Sequence, residues 1–158
     1  MKARVYHEFP AFYDTDSKVL ILGSIPSVKS RELGFYYMHP KNRFWKVLSL
    51  VFDCSILDKK EFLKQLRIAL WDVLESCEIN GSSDSSINKE IPNDIPALLE
   101  KCSIKAIFTT GKTAHKYYMK YFKDLDIPCF NLPSTSPANC RVGLDELVKE
   151  YKIIKEYL

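Results

Sequence analysis

Four short apolar runs punctuate the chain at 18–23, 67–73, 104–109 and 128–132, each entered from polar residues and left through Gly, Ser, Thr, Asp or Pro. Runs of this length without polar alternation are buried on both faces, the pattern of parallel strands. Between them, apolar positions recur at helical spacing over 44–52, 59–66, 95–101 and 112–121. That alternation predicts right-handed βαβ crossovers and a layered α/β fold. Near the end, Leu144, Leu147, Val148, Tyr151, Ile154 and Leu158 share one helical stripe, which should cover a face of the sheet. The run Gly81-Ser82-Ser83-Asp84-Ser85-Ser86 reads as a loop in which Asp84 or a serine caps a following turn. No repeat or long linker breaks the pattern, so one domain over 1–158 is expected.

In an open parallel sheet, ligands bind beyond the carboxyl ends of the strands. The residues there are Gly23-Ser24-Ile25-Pro26-Ser27, Asp72, Thr110-Gly111-Lys112-Thr113, and Leu132-Pro133-Ser134-Thr135-Ser136-Pro137-Ala138-Asn139. All four groups should meet at one edge. Gly111-Lys112-Thr113 ends like a phosphate-binding P-loop, but Ala106 stands where that motif needs its first glycine. A tight strand-to-helix turn explains Gly111 better, leaving Lys112 as a cation on the edge.

Composition narrows the picture less. The formal net charge of +3 is too small to establish a nucleic-acid partner. Five cysteines, at 54, 77, 102, 129 and 140, form no CxxC pair, which fits neither a disulfide framework nor a zinc or iron–sulfur site. Reduced, mostly buried thiols are expected, with no metal and no cofactor. The first eight residues hold no apolar leader core, and no run is long enough to span a bilayer, so a cytoplasmic protein with no membrane partner is expected.

One stretch does not fit ordinary patterning. Gly34-Phe35-Tyr36-Tyr37-Met38-His39-Pro40-Lys41-Asn42-Arg43-Phe44-Trp45 mixes aromatics, an amide and cations, and Pro40 keeps the first part off any continuous helix. Aromatic faces beside hydrogen-bonding groups suit a flat heterocycle. Ordinary loop packing is the competing explanation.

Taken with Gly23–Ser27, Leu70-Trp71-Asp72-Val73 and the 132–139 loop, this stretch resembles the hypoxanthine-DNA glycosylase family, a branch of the uracil-DNA glycosylase superfamily. The resemblance runs from about Lys18 to the C-terminal helix. It implies a three-layer α/β/α sandwich around a four-stranded parallel sheet, acting on damaged DNA, duplex or single-stranded, as a monomer that flips the lesion into a pocket. Most of the superfamily places a water-positioning Asp or Asn where Ile25 stands here, and the family's alternative maps onto Asn42. By the same resemblance Tyr37, with Tyr36 and Phe35 as neighbours, stacks on the base. Gly23, Ser24, Ile25 and Pro26 line the pocket, and Met38 replaces the usual Gly. The superfamily histidine of the last motif is replaced by Leu132.

The residues themselves allow the same roles and simpler ones. An amide carbonyl can hold a water at an oxocarbenium-like C1′, while an Asn before an apolar run also serves as a helix cap. Asp72 either accepts from a base N–H, such as N1–H of hypoxanthine, or caps a following helix. Ser27, Ser134, Thr135, Ser136, Asn139, Lys112 and Arg141 are candidates for DNA contacts, Ser134 and Ser136 to phosphate and Arg141 to phosphate or the minor groove. The leading expectation is a monofunctional glycosylase excising hypoxanthine, with uracil as a second substrate. The rivals are an inactive nucleic-acid or nucleotide binding module on this fold and a small-nucleoside hydrolase.

Overall fold

A computed structural model describes residues 2–158. Its elements run β1 (Ala3–Tyr6), β2 (Val19–Gly23), α1 (Val28–Leu33), α2 (Phe44–Val51), α3 (Lys59–Leu66), β3 (Ile68–Asp72), β4 (Leu74–Ile79), β5 (Asn88–Pro92), α4 (Ile95–Lys101), β6 (Ala106–Thr110), α5 (Lys112–Phe122), β7 (Cys129–Leu132) and α6 (Leu144–Tyr151). The four apolar runs form one parallel sheet in the order β3-β2-β6-β7. The expected four-stranded α/β architecture is the one observed.

Strand alternation sorts the core into two halves. Val19, Ile21, Ile68, Leu70, Ala106 and Phe108 face one side, where Val47, Leu48, Leu63, Leu147, Tyr151 and Ile154 of α2, α3 and the C-terminal segment cover them. Leu20, Leu22, Ala69 and Ile107 face the other, against Ile95 and Leu98 of α4 and Tyr117 and Tyr118 of α5. The C-terminal stripe is buried only in part. α6 ends at Tyr151 and tightens into a 3-10 helix over Lys152–Tyr157, so the helical spacing fails and Leu158 is exposed.

A second, three-stranded antiparallel sheet, β1-β4-β5, has no counterpart in the sequence expectation. Its strands are short and carry Arg4, Glu75, Glu78, Lys89 and Glu90, so no apolar run marks them. Helix α1 was likewise not anticipated. Ser27 caps it by accepting from Ser30 N–H at 3.1 Å. All five cysteines are free, but only Cys77 is fully buried, while Cys54 and Cys140 are exposed. The expectation of mostly buried thiols is therefore corrected. Among the described residues no helix is long and apolar enough to cross a membrane.

Candidate active site

Parallel register sets the carboxyl ends of the strands level, Gly23 beside Asp72 and Thr110 beside Leu132. Gly23 is the floor. A Cβ placed there would run into Asp72 Oδ1 and lie 3.3 Å from the Tyr37 hydroxyl, so only glycine lets the carboxylate lie over the strand end. Asp72 is followed by β4 rather than a helix. Val73 N–H bonds Gly23 O, and Asn93 Nδ2 bonds the carbonyls of Asp72 and Leu74. The helix-cap alternative for Asp72 thus has no helix to cap.

Tyr37 sits in the left-handed region at φ 55°, which costs a bulky residue roughly 1–2 kcal/mol. Two contacts hold it there. Its ring lies on Phe44 with centroids 3.8 Å apart and planes 15° from parallel, so only the opposite face is left for a base. Its hydroxyl lies 3.2 Å from Thr110 Oγ1, which itself donates to Leu22 O, so Tyr37 is the donor in that pair. Burial, and then the charge of Asp72, keep the Tyr37 hydroxyl protonated well above its ordinary range. Tyr36 and Phe35, the other stacking candidates, are structural. Tyr36 is buried with its hydroxyl on Pro10 O, and Phe35 packs on Phe12 and Trp45.

Asn42 joins this wall to the 133–142 loop. Its Oδ1 accepts from Phe44 N–H at 2.9 Å and from the buried Thr135 hydroxyl at 2.7 Å. Both lone pairs of the carbonyl are therefore engaged, and the expectation that this oxygen faces a water is corrected: among the described residues, the amide NH₂ is the end without a bond. Arg43 fixes the loop from the other side, its backbone N–H on Thr135 O and its guanidinium on Asn139 O and Val142 O. Tyr151 adds a bond to Pro133 O.

Within the loop, Ser134 Oγ accepts from Ser136 N–H, Ser136 Oγ accepts from Ala138 N–H, and Asn139 Nδ2 donates to Ser134 O. Those backbone amides are spent on the turn, so each serine retains its O–H as the donor for an incoming anion. Gly111, at φ 90°, brings the start of α5 against this loop, and a Cβ there would meet Ser134 Cβ at 3.1 Å. Lys112 and Arg141 are exposed at the rim.

The remaining expected residues lie off the wall. Ile25 turns into the apolar half-core with Val73, Leu74 and Tyr117, Pro26 is buried, and Leu132 lies in the opposite half-core. Ser24 donates to Asp84 Oδ1 at 3.2 Å. Asp84 is therefore not the cap it was expected to be. Ser83 holds the cap position without a side-chain capping bond, and the Asp84 carboxyl is raised from its ordinary range by burial and by Asp72. Sequence reading missed His7 altogether: its Nε2 lies 2.8 Å from Asp72 Oδ2, across 65 positions of chain and from a strand with no apolar signature. Arg43 was visible within the aromatic motif but had no distinguishing signal. A separate hollow of about 500 Å³ between β7 and the C-terminal segment, lined by Phe130, Lys149 and Ile153 among others, contains none of Tyr37, Asn42 or Asp72. Among the described residues no group of three or more His, Cys, Asp or Glu could hold a metal ion.

Comparison with known proteins gives a consistent picture. The profile of the Uracil DNA glycosylase superfamily matches residues 10–156. A hypoxanthine DNA glycosylase of Methanosarcina acetivorans is 35% identical over 139 residues, covering 84% of this chain and 87% of its own length. A hypoxanthine DNA glycosylase of Methanosarcina barkeri is 31% identical, covering 69% and 73%. Among solved structures, the solution NMR structure of a candidate uracil DNA glycosylase from Methanosarcina acetivorans superposes with a TM-score of 0.78 at 32% identity, covering 93% of this chain and 96% of that one.

Proposed function

The chain belongs to the uracil DNA glycosylase superfamily, and from that premise we propose that it hydrolyses the N-glycosidic bond of hypoxanthine in DNA, with uracil as a second substrate. The observation that carries this reading is the wall built at the strand ends. There Asp72 and the Tyr37 hydroxyl meet over Gly23, Tyr37 stacks on Phe44, and Asn42 ties Phe44 to the Ser/Pro loop.

Asp72 keeps one carboxylate oxygen for the base. Oδ2 is taken by His7, whereas Oδ1 makes no side-chain hydrogen bond among the described residues. Every buried side-chain polar atom among the described residues has a partner, so this unpaired Oδ1 is reachable from solvent. An acceptor there bonds N1–H of hypoxanthine or N3–H of uracil. The face of Tyr37 turned away from Phe44 stacks on the extruded base, and Ser134, Ser136, Lys112 and Arg141 hold phosphates around it.

For the reaction, the C1′–N bond breaks with its electron pair leaving on the base, and a water oxygen closes onto C1′. Because the sugar is oxocarbenium-like before attack, the water must be placed rather than strongly activated. Asn42 does this through Nδ2–H to the water oxygen, whose second lone pair faces C1′. The surplus water proton passes to solvent or to the departing base. Leu132 offers no imidazole, so leaving-group stabilisation rests on the base wall. The test is to incubate the protein with duplexes carrying inosine, uracil or xanthine and then cleave abasic sites with alkali. Strand scission at inosine supports the reading, and intact strands throughout overturn it.

A further inference from the structure

His7 has no place in that chemistry, yet it is among the most thoroughly built-in polar side chains of the site. Its side chain is 2% exposed, and that of its partner Asp72 5%. The β1–β4 pairing delivers it: Tyr6 lies opposite Ser76, and His7 N–H continues the ladder to Glu75 O at 2.7 Å. Phe9 and Tyr36 pack around the ring, with centroids 4.5 and 5.7 Å away.

The protons can be counted from the partners. Nδ1 lies 2.7 Å from Phe9 O, and a carbonyl only accepts, so Nδ1 carries a hydrogen. Nε2 and Asp72 Oδ2, at 2.8 Å, then share one further proton, held on either side. Imidazolium with carboxylate and imidazole with carboxylic acid both sum to zero charge. In both arrangements Asp72 Oδ1 bears no hydrogen and is an acceptor.

We propose that His7 is the positioning residue that holds Asp72, within a pair of zero net charge, as an acceptor-only reader of the extruded base, so that the site responds to the proton deamination adds to the pairing edge. Adenine presents a bare lone pair at N1, and hypoxanthine presents N1–H; cytosine and uracil differ in the same way at N3. An acceptor at this position bonds the deaminated base and repels the lone pair of its parent. Neutrality matters in the next step, because the base departs with the electron pair of the broken bond and an uncompensated carboxylate at its edge would oppose that charge. The inference rests on the glycosylase reading for the excision step, but the base preference is a matter of binding alone.

The experiment uses the full chain and two non-cleavable duplexes, carrying 2′-fluoro-deoxyinosine or 2′-fluoro-deoxyadenosine at one position, with anisotropy as the readout. His7→Phe keeps the packing against Phe9 and Tyr36 but removes both ring nitrogens. His7→Gln retains an N–H that reaches Asp72. The wild type should prefer the inosine probe at least roughly tenfold, His7→Phe should lose most of that preference, and His7→Gln should recover it within about threefold. Single-turnover excision from cleavable inosine should fall with His7→Phe in the same order, while melting temperatures report folding separately. A His7→Phe protein with wild-type preference and rate overturns the inference, as does a wild type that binds both probes equally. If the wild type prefers inosine but excises nothing, the glycosylase reading fails while the probe ratio still judges His7. Should His7→Phe not fold, nitrogen-15 spectra of the wild type decide: a hydrogen on Nδ1 supports the proton count, and a bare Nδ1 overturns it.

Discussion

Replacing Asn42 by Ala and by Asp separates the two jobs this side chain performs. The alanine variant loses the bonds to Phe44 N–H and to the Thr135 hydroxyl, the latter on a residue only 1% exposed. Each such bond contributes roughly 1 kcal/mol net, so a loss of about 2 kcal/mol is expected, or roughly 4–8 °C in melting temperature for a chain of this size. If the amide also places the attacking water, single-turnover excision of hypoxanthine should fall at least roughly a hundredfold. Asn42→Asp isolates the second effect. One carboxylate oxygen can keep both structural bonds while the other replaces the NH₂ donor with an acceptor. The variant should melt near the wild type and still excise poorly, since the group directed at the water has changed from donor to acceptor. Both variants are assayed at saturating protein over duplex, with the folded fraction measured in parallel. Wild-type rates per folded molecule in Asn42→Ala would refute the catalytic assignment, and wild-type rates in Asn42→Asp would refute the donor role.

Other perturbations test separate parts of the account. Gly23→Ala puts a methyl group against Asp72 Oδ1 and the Tyr37 hydroxyl, so inosine excision should drop by roughly tenfold or more; an unimpaired variant would show that the base does not sit on this floor. Duplex affinity should fall with salt, and Lys112→Ala or Arg141→Ala should each reduce the slope of log affinity against log salt by about one, equally for lesion and undamaged DNA. Glu90 receives Lys120 Nζ and the Tyr121 hydroxyl, which hold its carboxyl down at about 2. A folded value below the unfolded one stabilises at pH above the unfolded range, and that contribution fades as pH falls toward about 2. Glu90→Gln should therefore lower the melting temperature at pH 7 but hardly at all near pH 2, and an equal loss at both would contradict the ion-pair explanation.

The parallel sheet was legible because β2, β3 and β6 are buried almost throughout and so appear as short apolar-rich runs such as Val19–Gly23, whereas β7 is only half-buried. The antiparallel sheet was not. β1 and β5 are only four or five residues long and mix charged, half-buried and exposed positions without a clear period, and β1 finds its partner β4 far along the chain. The same limit applies to the site. Gly23, Tyr37, Asn42, Asp72 and Ser134 could be named because they follow strands or lie in one unusual aromatic segment. Which atom of Asn42 is engaged depends on Thr135, 93 positions away, and the partner of Asp72 depends on the edge of a sheet that sequence reading did not anticipate. Asp84 was misread for a related reason, since a local cap was the nearest use for its carboxyl whereas Ser24 reaches it across 60 positions.

The central claim, that the wall at the strand ends excises a deaminated purine rather than merely holding it, is tested most directly by following the released base. Wild-type protein in excess over an inosine-containing duplex, sampled over time by mass spectrometry, should liberate free hypoxanthine one for one with abasic sites and leave an adenine-containing control intact. Binding of the inosine duplex without any release of hypoxanthine would contradict the account and identify the chain as a binding module on a glycosylase fold.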